Sequence, residues 1–375
     1  MAPSLACVAA FVLVAITPAF AQDAQVFGDL RVETVARGLV HPWALAFLPD
    51  GRMLVTERPG RMRIVARSGA LSPPIAGLPH MAVVWQGGLL DVATDRDYAR
   101  NRTVFFCYSR VVTGGMRTTF ARARLHDDDR LALENTTVIL RAAGPPSEGF
   151  QLGCRIAQSV DGNLFLAVGD HAAWGPFPQA LDNHLGKVLR IRPDGTVPDD
   201  NPFVGRQNVK PEIWSYGHRN PQGLAIDPAS GKLWEHEHGP TGGDELNLVV
   251  AGNNYGSPLI HYGADQTGCC RISDNVEKPA MESPVRHWTP SIAPSGMAFY
   301  TGDLFPAWRG NLFVGALAAK LLVRLELQGD KVVKEERLLQ GLGERIRDVR
   351  QGPDGALWLL TDNADGRILR VVPAR

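Results

Sequence analysis

Residues 45–57 read LAFLPDGRMLVTE: a short apolar run, a Pro-Asp-Gly turn, and a second apolar run. Asp-Gly between two such runs is a hairpin signal, because both residues accept the backbone that a tight turn demands. GRMRIV at 60–65 adds a third run. The phrase then returns. Residues 155–168 read RIAQSVDGNLFLAV and are followed by KVLRI at 187–191. Residues 224–235 read LAIDPASGKLWE. Residues 348–362 read DVRQGPDGALWLLTD and are followed by GRILRV at 366–371. A looser copy runs from Met297 through NLFVG at 311–315 to LLVRL at 321–325. QGGLLDVA at 86–93 with TVFFCY at 103–108 supplies another, about six in all.

One such unit cannot bury both of its faces. Six arranged radially can, and the sequence therefore predicts an all-β, six-bladed β-propeller. A pair of packed β-sheets is the competing arrangement. The copies are spaced more widely than the usual ~40–50 residues per blade, so long loops are expected between strands, where function commonly resides.

Composition agrees with a turn-rich fold: 39 Gly and 27 Pro in 375 residues. Formal net charge is zero, which provides no basic face for nucleic acid. The apolar run Leu5–Ala19 is too short to span a bilayer well and ends in Ala19-Phe20-Ala21, a cleavage-like pattern. Residues 1–21 are read as a secretory signal and 22–375 as a single propeller, exported to the periplasm in a Gram-negative host. An uncleaved N-terminal anchor is the alternative. Export permits disulfides among Cys107, Cys154, Cys269 and Cys270, whose pairing stays open, with Cys269-Cys270 able to form a vicinal bridge.

Three stretches carry candidate chemistry. GHRNPQG at 217–223 sets Arg219 and Asn220 before a turn, with both side chains expected clear of the core. Arg219 can hold a carboxylate through paired hydrogen bonds, or stack on Trp214. EHGPTGGDE at 237–245 exposes carbonyls near acids, as a hard cation such as calcium requires. His236, just before it, and His238 within it read as strand histidines, since no third ligand follows at a matching spacing. RIRDV at 345–349 sets Arg345 and Arg347 on one strand face by the period of two, for a polycarboxylate or phosphate, or as a ladder with Asp348 and Glu344. No nucleotide-binding glycine fingerprint is present.

With WQGGLLDVA at 85–93, NNYG at 253–256 and SGMAFY at 295–300, these motifs make the chain resemble the soluble aldose/glucose sugar dehydrogenases and sorbosone dehydrogenases. Those are exported six-bladed propellers that use pyrroloquinoline quinone (PQQ) and calcium. The resemblance spans nearly all of 41–375. It implies oxidation of an aldose C1 hydroxyl to the lactone by hydride transfer to PQQ, with an unknown electron acceptor. It implies that Gln86, Arg219, Asn220, Arg345 and Arg347 hold PQQ, and that a trianionic quinone is matched by several guanidiniums. It places one calcium on the carbonyls of Gly239 and Pro240 and a second at Glu245 and Tyr255.

The same resemblance exposes departures. The family pattern His-x-Gly-x-Arg is occupied by Gln151-Leu152-Gly153-Cys154-Arg155, so the general base is replaced by Gln151, with Asp170 as its orienting aspartate. An amide cannot accept a proton at ordinary pH, and losing a general base typically costs about 10² to 10⁴ in rate. His171, or a water held by Gln151 and Asp170, is the candidate replacement. Ala318 stands where the family has a PQQ-contacting lysine, and Lys320 is expected on the same face. Ser257 replaces a common tryptophan. The competing functional readings are a propeller that binds PQQ or sugar with little turnover, a propeller that has lost PQQ and serves as a periplasmic binding or scaffold protein, and a calcium-dependent propeller lactonase or hydrolase.

Overall fold

A computed structural model describes residues 24–128, 130–173, 175–264 and 277–374. The signal segment and Cys269-Cys270 lie outside the described residues. Six antiparallel sheets are arranged as blades around one axis. Blade 1 comprises Pro42–Phe47, Met53–Glu57 and Arg61–Val65. Blade 2 comprises Leu89–Thr94, Thr103–Val112, Gly115–His126 and Ala132–Arg141. Blade 3 comprises Gly153–Gln158, Leu164–Val168, Lys187–Ile191 and Ile213–Tyr216. Blade 4 comprises Pro221–Ile226, Leu233–Glu237, Asp244–Val249 and Arg286–Trp288. Blade 5 comprises Pro294–Phe299, Leu312–Ala316, Leu321–Gln328 and Lys331–Leu338. The first strand of each blade packs beside the first strands of its neighbours, and blade 6 returns to blade 1.

Blade 6 is closed by the N-terminus. Ile346–Gln351, Leu357–Thr361 and Gly366–Pro373 are joined by Leu30–Leu39 and then Ala24–Phe27. Pairing residues from both ends of the described chain in one sheet ties the ring closed through backbone hydrogen bonds. Alternating inward residues fill the spaces between sheets: Phe105, Phe106 and Phe120 between early blades, and Trp234, Leu312 and Val323 between blades 4 and 5.

The axis is polar. Arg155 of blade 3 places one guanidinium nitrogen 3.2 Å from both Asp91 of blade 2 and Asp348 of blade 6. Arg350 pairs with the same two carboxylates, at 3.2 and 2.9 Å. Asp348 also accepts the Leu45 amide of blade 1, and Asp91 the Ile156 amide. Buried charges are tolerated only when paired and hydrogen-bonded, and this network supplies both conditions while tying four inner strands together. Asp348 is therefore committed to the axis and forms no ladder with Arg345 or Arg347.

Every inner strand slips register near its start: Pro42/Ala44, Leu89/Val92, Gly153/Arg155, Pro221/Gly223, Pro294/Met297 and Ile346/Asp348. A bulge adds an unpaired residue and re-aims its side chain. Trp43, Leu90, Gln222 and Arg347 fall within these slips, and all four line one cavity. In blade 3 the slipped residue is Cys154, which forms a disulfide with Cys107 of blade 2.

Candidate functional site

The cavity at the bulged end of the inner strands has a volume of about 510 Å³. One wall is basic. Arg345, Arg347 and Arg58 approach it around a single carboxylate, Asp362. Arg347 donates to Asp362 at 2.7 Å, Arg345 lies 3.5 Å from it, and His41 Nδ1 lies 3.0 Å from its other oxygen. Burial opposes ionisation of Asp362, but Arg347 and its other partners hold the carboxyl well below the usual range. Arg347 Nε is buried without a hydrogen-bond partner among the described residues. The Trp43 indole lies beneath, 4.1 Å from the Arg155 guanidinium and 5.8 Å from that of Arg347.

Both arginines reach the cavity, but not through strand alternation. Arg345 precedes the strand, and Arg347 occupies its bulge. Lys320 does not approach the cavity lining. The strand ends at Ala316, and a turn with Lys320 at φ 53° leaves that side chain exposed. Leu317 reaches the cavity instead, and its carbonyl accepts from Arg345 at 3.2 Å.

The opposite wall comes from blades 2, 3 and 4. Gln86 and Asn220 line the cavity. Asn220 is buried, contrary to its expected clearance from the core, because the Glu237 carboxylate accepts the backbone N–H groups of both Arg219 and Asn220 and pulls the turn inward. Trp214 is covered by Arg190, not by Arg219. The Arg219 guanidinium donates to the carbonyls of His238 and Gly239, at 3.0 and 2.8 Å.

Gln151 has a left-handed backbone, φ 52°, and its N–H donates to Gln86 Oε1 at 2.9 Å. The amide orientation that satisfies its neighbours has the oxygen accepting from Arg219 Nη2 at 2.8 Å and the nitrogen donating to Asp170. Burial pushes the Asp170 carboxyl up to about 6, with Arg219 acting in the opposite sense. His171 turns away. Its Nε2 lies 3.0 Å from Thr118 Oγ1 and its Nδ1 lies 3.1 Å from the Pro145 carbonyl, and burial lowers it to about 4.

Behind this wall, blade 4 carries a buried acidic face. Glu235 and Glu237 are two residues apart on one strand, directly opposite Asn247 and Glu245 on the next. His218 covers them, stacked on Tyr255 at 4.6 Å. Ligand atoms of His218, Glu235 and Glu237 lie within 4.8 Å of one another. Burial pushes Glu235 and Glu245 upward, reinforced by Glu237. His218 Nδ1, Glu235 Oε1 and Asn247 Oδ1 lack hydrogen-bond partners among the described residues. The Tyr255 hydroxyl is committed to Leu248 O and the Val250 N–H, so only its carbonyl remains for a metal. Asp244 is committed as well: it accepts from Gly239, Ser291, Ile292 and Ala293, pinning the Gly239-Pro240 turn to blade 5.

Arg58, Asp362, His41 and Glu237 were not singled out from sequence. Arg58, Asp362 and His41 are distant in sequence from residues they meet and sit in no motif that marks a ligand; Glu237 opens the 237–245 motif, but its bonds to the Arg219 and Asn220 amides cross between strands.

A six-bladed propeller with a basic cavity at the bulged ends of its inner strands defines a class, and comparison with known proteins narrows it. The glucose/sorbosone dehydrogenase family model matches residues 39–370, and the chain belongs to that family. An aldose sugar dehydrogenase of Escherichia coli (strain K12) is 42% identical over 346 residues, covering 92% of this chain and 93% of the relative. A crystal structure of a glucose dehydrogenase is 49% identical with a TM-score of 0.88, covering 92% of this chain and 99% of that one. The PQQ-bound form of an aldose sugar dehydrogenase from Streptomyces coelicolor is 29% identical with a TM-score of 0.77, covering 92% and 99%.

Proposed function

We propose that the protein binds PQQ in the basic cavity and oxidises the C1 hydroxyl of aldose sugars to the lactone, at a rate limited by the replacement of a histidine base with Gln151. The observation that carries this reading is the Arg58–Arg345–Arg347 wall: three guanidiniums around one carboxylate, with Arg347 Nε lacking a hydrogen-bond partner among the described residues. Uncompensated cations in a partly buried wall are costly, and a ligand with several carboxylates relieves that cost. Gln86, Arg219 and Asn220 complete the proposed cradle. When bound, PQQ supplies the hydride acceptor.

The chain's own residues divide the remaining work. Gln151 holds the Asp170 carboxylate with one end of its amide and the Arg219 guanidinium with the other. It fixes both groups without taking a proton. Proton acceptance falls to Asp170, whose raised carboxyl titrates close to the operating range. His171 is excluded as the base by its engagement with Thr118 and Pro145. Hard-cation chemistry fits the Gly239-Pro240 turn, where Arg219 now occupies the Gly239 carbonyl. It also fits the acidic face at Glu245, where a divalent cation would neutralise converging carboxylates and give the unpartnered Glu235 and Asn247 oxygens a ligand role. We place the protein in the periplasm or outside the cell, because the N-terminal run has the form of an export signal.

The closed Gln151–Asp170–Arg219 chain favours a second reading, in which PQQ is held but turnover is slight. One experiment separates the two. The purified protein is incubated with calcium and PQQ, desalted, and assayed for retained PQQ absorbance and for aldose-dependent dye reduction. Retention with sugar-dependent reduction supports the dehydrogenase. Retention without reduction supports the second reading. No retention contradicts both.

A further inference from the structure

We propose that Trp85 and Phe150 form a stacking platform for the second ring of an aldose-terminated disaccharide or longer saccharide, whose reducing-end ring occupies the cavity. The inference rests on the proposed sugar oxidation and deepens it by naming the substrate class.

Trp85 is 68% exposed and Phe150 is 38% exposed. Their rings stack with centroids 5.5 Å apart and an interplanar angle of 26°. Exposed aromatic surface forgoes the burial that normally repays such side chains. Here the exposed arrangement is actively held. Trp85 has a left-handed backbone, φ 51°, which is unfavourable for a bulky residue. Arg58 donates to its carbonyl. Ser147 Oγ accepts the Phe150 N–H at 2.9 Å and donates to the Phe150 carbonyl at 2.7 Å. Between them lies Gly149 at φ 128°, a conformation that favours glycine, and a Cβ there would crowd the indole at 3.0 Å.

The platform is continuous with the cavity. Trp85 and Gln86 both line it. The Gln86 N–H donates to the Gly149 carbonyl at 3.0 Å, and Gln86 Oε1 accepts from Gln151. The two aromatic loops are thus fastened to the residues proposed to hold PQQ and to order Asp170. A pyranose presents a flat C–H face with hydroxyls around its rim. Such a face matches a fixed aromatic ring, and the rim hydroxyls match polar neighbours such as Gln86 and Arg58. A single ring seated in the cavity leaves the outward face of Trp85 uncovered, whereas a second linked ring covers it.

The test is isothermal titration calorimetry on the full protein, with and without bound PQQ and calcium, using glucose, cellobiose and maltose. Trp85→Ala, Trp85→Phe and Phe150→Ala are measured alongside. The proposal predicts that a disaccharide binds more tightly than glucose. Trp85→Ala should lower the ratio of disaccharide to glucose affinity about tenfold, and Trp85→Phe should restore most of it. Retained PQQ absorbance in each variant reports an intact fold. An unchanged ratio in Trp85→Ala, or no disaccharide binding by the parent protein, overturns the proposal. A dimer in sedimentation that Trp85→Ala dissociates also overturns it, by assigning the patch to a contact between copies. Because binding is read as heat, absent dye reduction counts against the oxidation reading and leaves this test independent.

Discussion

The two walls of the cavity treat their polar groups in opposite ways. On the wall shared by blades 6 and 1, Arg345 and Arg347 share one aspartate, Arg58 stands beside them bonded to the Trp85 carbonyl, and a guanidinium nitrogen of Arg347 has no hydrogen-bond partner among the described residues. On the side from blades 2 to 4, where Gln86, Leu152 and Asn220 form the lining, Gln151, Asp170 and Arg219 stand outside the lining and satisfy one another in a chain. The first wall is open to an anion. The second is self-satisfied, so anything that reacts there must compete with bonds already made. The contrast runs through the proposed site itself: Arg345 and Arg347 are poised for an anion, Arg219 is already engaged with Gln151, and the position of the family's base is an amide.

The largest effect is expected on the open wall. Replacing both Arg345 and Arg347 with methionine should weaken PQQ binding by about 10² to 10⁴, since each charge-assisted bond contributes roughly 1.5–3 kcal/mol. Equilibrium titration of PQQ absorbance checks this, and an effect below tenfold would remove the asymmetry between the walls. Arg347→Met alone should cost about 10- to 100-fold.

The closed side is sharpened by pH. His171 is buried and lowered to about 4, so an unfolded chain takes up its proton first as pH falls from about 6.5. Its contribution to stability is complete above that range and is lost on acidification toward pH 4. The loss amounts to about 3 kcal/mol. Urea midpoints of the parent and His171→Gln should differ in slope over that window, and parallel slopes would show that His171 is not held neutral. A smaller effect is expected at the acidic face behind this wall. With a chelator present, Glu235→Gln should raise stability near pH 8 by about 1 kcal/mol, because one of three crowded carboxylates is removed. Saturating calcium should shrink or reverse the gain.

The repeated Asp-Gly turns at Asp50-Gly51, Asp161-Gly162 and Asp354-Gly355 made the blades legible, because a tight hairpin is a local event. Closure of blade 6 was not, since Glu33 meets Arg370 across 337 positions and no turn announces the pairing. The bulges were equally silent. One extra residue at the start of each inner strand changes which side chains face the cavity, and that is why Arg347 departs from simple alternation; Lys320 departs because its strand ends at Ala316 and a turn follows. Asn220 was misjudged because the carboxylate that draws its turn inward, Glu237, lies on another strand. The replacement at Gln151 was readable from sequence alone, but its bonds to Asp170 and Arg219 required three loops to be placed together.

The central claim, an open PQQ cradle beside a neutralised base position, is tested most directly by single-turnover reduction of bound PQQ with excess aldose in the parent protein and in Gln151→His. The account predicts equal PQQ affinity in the two proteins and reduction faster by about 10² to 10⁴ in the variant. Equal rates in both proteins, or a variant that gains speed only by binding PQQ more tightly, would contradict it.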